Sequence, residues 1–173
     1  MKLKTRDIVY IGFIAALCAV ATTIRIEIPG GAMVHLGSAA LFTTSILFGG
    51  LYGGLGAAIG SALFDLFGGH TQYIVFSFFI KGIAGLIVGG MTAGYLPPSI
   101  NKPTASFSRI LVALIIGAIW TAFGYFIAWW FVLNSAAVAA SKIQYSLITS
   151  AAGIIVAIVL TPKLQKIDRK SVV

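Results

Sequence analysis

Leu36-Gly-Ser-Ala-Ala-Leu-Phe-Thr-Thr-Ser-Ile-Leu-Phe48-Gly49-Gly50-Leu-Tyr-Gly53-Gly54-Leu-Gly-Ala-Ala-Ile-Gly60-Ser-Ala-Leu-Phe-Asp65-Leu-Phe67 runs apolar with Asp65 as its one charge. A helix crosses the hydrocarbon of a bilayer with about 20 mainly apolar residues, so this stretch is too long for one span. It is interrupted at Gly49-Gly50-Leu51-Tyr52-Gly53-Gly54, and glycines clustered between apolar runs mark a turn. Two membrane helices joined by a tight Gly turn follow. The first, over Leu36 to Phe48, is short for a full crossing, so part of the preceding loop is expected to dip into the membrane.

The same reading extends in both directions. A first span covers Asp7 to Ile24 and is ended by Arg25-Ile-Glu27-Ile-Pro29-Gly30-Gly31. A fourth covers Gln72 to Tyr95 and leads into Leu96-Pro97-Pro98-Ser99-Ile100-Asn101-Lys102-Pro103, the clearest linker. The fifth runs from Phe107 to Leu133 and the sixth from Lys142 to Leu160, with Pro162 closing it. With 59% hydrophobic and 9% charged residues, a soluble domain would lack the polar surface to cover itself. The expectation is one domain over residues 1–173, an all-α integral membrane bundle of six transmembrane helices.

Charge placement orients it. The net charge is +8, which in a soluble protein would raise the question of nucleic acid. Here Lys2, Lys4 and Arg6 precede the first span, Lys102 and Arg109 flank the middle loop, and Lys163, Lys166, Arg169 and Lys170 form the tail. Lysine and arginine accumulate on cytoplasmic flanks. Six spans put all of these on one side, with both termini in the cytoplasm, whereas five would set the basic tail opposite the basic N-terminus. No nucleic-acid partner is implied. The basic start and Ala19-Val20-Ala21 could be read as a cleavable signal, but five later spans need a first helix to fix their orientation. Ala15 at three positions before Cys18 also lacks the Leu of a lipoprotein box.

Small residues recur every fourth position: Ala15 and Ala19, Gly49 and Gly53, Gly56 and Gly60, Gly85 and Gly89, Gly90 and Gly94. In lipid they let helix backbones approach, and internal bundle packing is the plain reading of such a pair. Ionisable groups at membrane depth are costly and call for a partner or a purpose. Lys81 lies about 13 Å into the fourth span at roughly 1.5 Å per residue, and a pair with Asp65 would lower the cost of both. Arg25, Glu27, His35, Asp65, His70, Gln72, Tyr73, Tyr125, Trp129, Trp130, Asn134, Gln144 and Tyr145 all fall toward the non-cytoplasmic side. Interfacial aromatics anchor many membrane proteins. Aromatic walls converging with a few hydrogen-bonding groups also compose a small-molecule site. No phosphate-binding loop, HExxH, CxxC or GxSxG pattern occurs, so the chain is expected to be no enzyme, to hold no metal or cofactor, and to hydrolyse no ATP.

The whole chain resembles the substrate-binding S components of energy-coupling factor (ECF) transporters, vitamin-importing relatives of the ABC transporters. The basic N-terminus, Ala15 and Ala19 on the first helix, and above all the Gly-rich stretch from Leu47 to Leu66 carry the likeness. It is most similar to the riboflavin-type group that includes hydroxymethylpyrimidine and pyridoxine carriers. The resemblance implies a multi-pass cell-membrane protein binding a small water-soluble vitamin or precursor at its outer face. It further implies docking on a transmembrane coupling protein, with ATP hydrolysed by two cytoplasmic ATPases on other chains. Mapped by region, the implied pocket holds His35, Asp65, His70, Tyr73, Lys81, Tyr125, Trp129, Asn134, Gln144 and Tyr145, and the implied docking face holds Ala15 and Ala19. Two rivals stay open: a stand-alone proton-coupled carrier using Lys81 and Asp65 as a relay, and an assembly protein without a ligand.

Overall fold

A computed structural model describes residues 4–28, 32–95 and 105–170. Lys2, the segment Pro29-Gly30-Gly31 and the expected linker from Leu96 to Pro103 lie outside them, as do the side chains of Lys166, Arg169 and Lys170. Six α-helices occur in the described residues: α1 (Thr5–Thr23), α2 (Gly37–Phe48), α3 (Gly50–Phe67), α4 (Ile74–Thr92), α5 (Phe107–Leu133) and α6 (Ala136–Lys170). Five of these regions are long and apolar enough to cross a membrane, and α2, at 12 residues, is the short one. At about 1.5 Å per residue it rises roughly 18 Å, well under the roughly 30 Å of hydrocarbon.

What precedes α2 is a short strand pair and not the loop expected there. Arg25–Ile28 (β1) and Ala32–His35 (β2) form an antiparallel hairpin in which Arg25 faces His35 and Glu27 faces Met33. Backbone near the membrane must satisfy its own hydrogen bonds, and a hairpin does this where an irregular loop would not. The Leu36 amide extends the pairing by donating to the Ile24 carbonyl at 3.2 Å. On the hairpin face of the bundle, the Thr149 hydroxyl of α6 donates to the Met33 carbonyl at 3.4 Å.

Glycine sets the packing. Gly49, at φ 86°, is all that separates α2 from α3, so Gly50, Gly53 and Gly54 belong to the helix and not to a turn. A Cβ on Gly85 of α4 would lie 2.7 Å from the Gly54 Cα and 2.8 Å from its nitrogen, so α3 and α4 meet backbone to backbone. The start of α3 is tied down as well: the Gly50 and Leu51 amides donate to the Gly94 and Tyr95 carbonyls, each at 2.9 Å. Ile14, Leu41, Phe42, Val88 and Leu114 fill the centre and are almost fully buried. Phe13, Val20, Ile119, Phe123 and Phe131 point outward, an apolar rim suited to lipid.

Two further boundaries shift. α6 begins at Ala136 and continues through Pro162 to Lys170. The proline removes one intrahelical bond, but the Lys, Leu and Gln that follow favour helix and carry it on. The Gln72 start of the fourth span becomes a single 3-10 turn, Thr71–Tyr73, ahead of α4.

Candidate functional site

Helical periodicity brings one polar stripe from each helix to the hairpin end of the bundle. Tyr73, just ahead of α4, and Ser77 and Lys81 on it sit at successive four-residue steps, and on α5 so do Thr121, Tyr125 and Trp129; residues four apart share a face. α3 contributes Ser61, Phe64 and Asp65, α6 contributes Ser146 and Thr149, α2 gives Ser38, α1 gives Thr22, and β2 gives Met33 and His35. These and His70 line a cavity of about 80 Å³, several times the roughly 10–15 Å³ that one water needs.

Lys81 is 4% exposed. Its ammonium donates to the Ser38 hydroxyl at 3.1 Å and lies 5.4 Å from the centre of the Tyr125 ring, an arrangement that eases the burial of a cation. The Tyr125 hydroxyl is 3.0 Å from the Ser77 hydroxyl, and the Tyr125 and Trp129 rings sit 5.6 Å apart. Asp65 is 7% exposed, and its Oδ2 has no hydrogen-bond partner. Nor has Nε2 of His70, whose ring stacks on Phe64 at 6.0 Å. The expected Lys81–Asp65 pair does not form. Among the described residues the one ion pair within 4.0 Å joins Arg25 to Glu27, at 2.7 Å.

His35 is held by its backbone neighbour: Nδ1 accepts the Gly37 amide at 3.1 Å, which places the ring proton on Nε2. Burial, with Lys81 and then Arg25 adding repulsion, pushes its pKa down to about 3. The ring is therefore a neutral donor. Among the described residues no three His, Cys, Asp or Glu side chains gather closely enough to hold a metal ion.

Seven residues of the expected pocket, His35, Asp65, His70, Tyr73, Lys81, Tyr125 and Trp129, line this cavity. Three do not. Asn134 adopts φ 51° at the C-cap of α5, where a left-handed residue ends a helix. Gln144 is exposed and donates to the Ser141 carbonyl on its own helix at 3.1 Å. Tyr145 is half-buried off the cavity. The α6 face that does reach the cavity is Ser146 and Thr149, and its serines and threonines gave no signal against an apolar helix. Ser38, Ser61, Ser77 and Thr121 were missed for the same reason, although the four-residue spacing of Ser77 between Tyr73 and Lys81 could have found one of them.

Of the implied docking pair, Ala15 is packed inside the bundle and Ala19 only in part. Ala15 is 3% exposed and faces α3, where a Cβ added to Gly60 would meet the Ala15 carbonyl oxygen and one added to Gly56 would meet Ile14. Ala19 is half-buried. Ala15 therefore packs between α1 and α3.

The profile of the family described as "ECF-type riboflavin transporter, S component" matches residues 2–166. The chain belongs to the ECF-type S-component family. As an S component it is a membrane-embedded substrate-binding subunit of a transporter and not an enzyme, and S components work with a transmembrane coupling protein and ATPases. Its fold is similar to a solved structure titled "Structure and mechanism of the S component of a bacterial ECF transporter". The TM-score is 0.73 and the identity 20%, covering 95% of this chain and 98% of the other. It is also 29% identical over 142 residues to a protein of Pyrococcus woesei described as an uncharacterized protein in a gap 3' region, across 82% of this chain and 88% of that one.

Proposed function

We propose that this S component binds a small single-ring vitamin or vitamin precursor in the cavity beneath the hairpin, with hydroxymethylpyrimidine or pyridoxine as the favoured ligands. The observation that carries this is the lining: the Tyr125 and Trp129 rings stand beside buried polar groups with unused hydrogen-bonding capacity on Lys81 and Asp65. Small-molecule sites have this make-up, apolar walls with a few placed polar groups.

Six spans with both termini in the cytoplasm place the hairpin end outward, facing the vitamin supply. The subunit then docks on its coupling protein, and two cytoplasmic ATPases on other chains drive uptake, so this chain uses no cofactor of its own. The face of α1 open to docking is the one bearing Gly12 and Ala16, four residues apart: a Cβ on Gly12 would meet nothing within 4 Å, and Ala16 is exposed. Mass spectrometry of the detergent-purified subunit tests the ligand, and a single-ring vitamin should co-purify in near-stoichiometric amount. Uptake by cells should stop when the partner ATPases are deleted. Uptake that persisted without them would replace this reading with a stand-alone carrier.

A further inference from the structure

We propose that the cavity selects a planar heteroaromatic ring that is neutral overall but dipolar, its acceptor edge toward Lys81 and its donor edge toward Asp65, and rejects anionic and cationic rings of the same size. This rests on the reading of the cavity as the substrate site. Lys81 and Asp65 are both more than nine-tenths buried and both line it, yet they form no ion pair within 4.0 Å.

Each has capacity left over. An ammonium carries three donors; one goes to Ser38, and the Tyr125 face beside it accepts no full hydrogen bond. Asp65 Oδ2 accepts nothing. Tyr125 and Ser77 are engaged with each other, their hydroxyls 3.0 Å apart. His35, neutral with its proton on Nε2, adds a donor but no charge. Arg25, at the hairpin, pairs with Glu27.

A buried cation with spare donors thus faces the same space as a buried carboxylate with a spare acceptor. An anionic ring would satisfy Lys81 but bring like charge to Asp65, and a cationic ring would do the reverse. Like-charge juxtaposition away from water is an effective means of rejection. A hydroxypyridine in its zwitterionic form, with a ring N–H and a phenolate, satisfies both ends. So does an aminopyrimidine, with its amino group and ring nitrogens.

Calorimetry on the unaltered, ligand-stripped subunit in detergent tests this with four probes: pyridoxine and hydroxymethylpyrimidine as neutral rings, nicotinate as an anion and 1-methylnicotinamide as a cation. At least one neutral ring should bind about a hundredfold more tightly than either charged ring. For the ring that binds, an analogue lacking the acceptor presented to Lys81 should bind at least about tenfold more weakly. That penalty should vanish in Lys81→Met. A charged ring binding within about tenfold of the best neutral one overturns the proposal, as does a penalty unchanged in Lys81→Met; should that variant not fold, the four-probe comparison decides alone. A tight charged ligand would overturn the dipole selection while leaving the substrate site in place. If no probe binds and no molecule co-purifies, the site reading itself falls.

Discussion

The imidazole of His35 accepts one of the free amides at the start of α2, a role open only to the neutral ring. Burial, reinforced by Lys81 and Arg25, lowers its pKa from the model-compound value of 6.5 to about 3. Between those values the unfolded chain binds a proton that the folded chain does not, so stability falls as pH drops from about 6.5 toward 3. The stability that the neutral His35 contributes should fall by about 1–3 kcal/mol between neutral pH and about pH 4.5, allowing for the cavity's partial hydration. His35→Asn, whose Oδ1 stands where Nδ1 does and so keeps an acceptor for Gly37, cannot titrate and should show a shallower pH dependence in thermal melts. An equal slope would remove His35 from that role. On the ligand side, Trp129→Ala should weaken binding by about 2 kcal/mol or more if the ring is a central anchor, and Lys81→Ala should weaken it too. Unchanged calorimetric affinity in both would place the ligand elsewhere.

Between α3 and α4 the contact is backbone on backbone, and its tolerance is correspondingly narrow. Gly85→Ala puts a methyl 2.7 Å from the Gly54 Cα, so the helices must part, at a cost of about 1–3 kcal/mol. Gly85→Leu should abolish the monodisperse peak on size exclusion in detergent. Gly12→Ala, on open helix surface, should be neutral or stabilise the isolated subunit by about 1 kcal/mol or less. Equal tolerance at both positions would contradict this packing. Glycine spacing and long apolar runs made these helices legible in the sequence, because both act through composition. The hairpin was not legible as strand: Arg25-Ile-Glu27-Ile alternates for only four residues, and its pairing depends on a partner strand beyond Pro29-Gly30-Gly31. The site followed the same division. Lys81 and Asp65 stood out because charge in lipid is rare, whereas Ser146 and Thr149 on α6 look like any other small residues of a membrane helix. Gln144 and Tyr145 were drawn in by polarity alone, with nothing in the sequence to fix the rotation of α6.

At the scale of the whole molecule, the cavity and the proposed docking face meet through α1, which offers Thr22 to the cavity and Gly12 and Ala16 to the surroundings. Both arguments require the hairpin end to face outward. In a variant without the native Cys18, a membrane-impermeant thiol reagent should label Cys placed at Asn134 but not Cys placed at Lys166, and the reverse pattern would invert the topology. Adjacent positions on α1 then separate docking from folding. Ala15 is packed on Gly56 and Gly60 of α3, so Ala15→Trp overpacks the bundle, and expression, melting temperature and ligand binding should fall together. Ala16 is exposed, so the same ring there can lie outside the bundle's packing. Ala16→Trp should therefore leave ligand affinity and thermal stability near the parent's while removing co-purification with the coupling protein and ATP-driven uptake, because the ring blocks close helix approach. If Ala16→Trp assembles and transports normally, the coupling protein seats on another face. If it loses ligand affinity along with assembly, this side of α1 is coupled to the cavity and is not a separate docking surface.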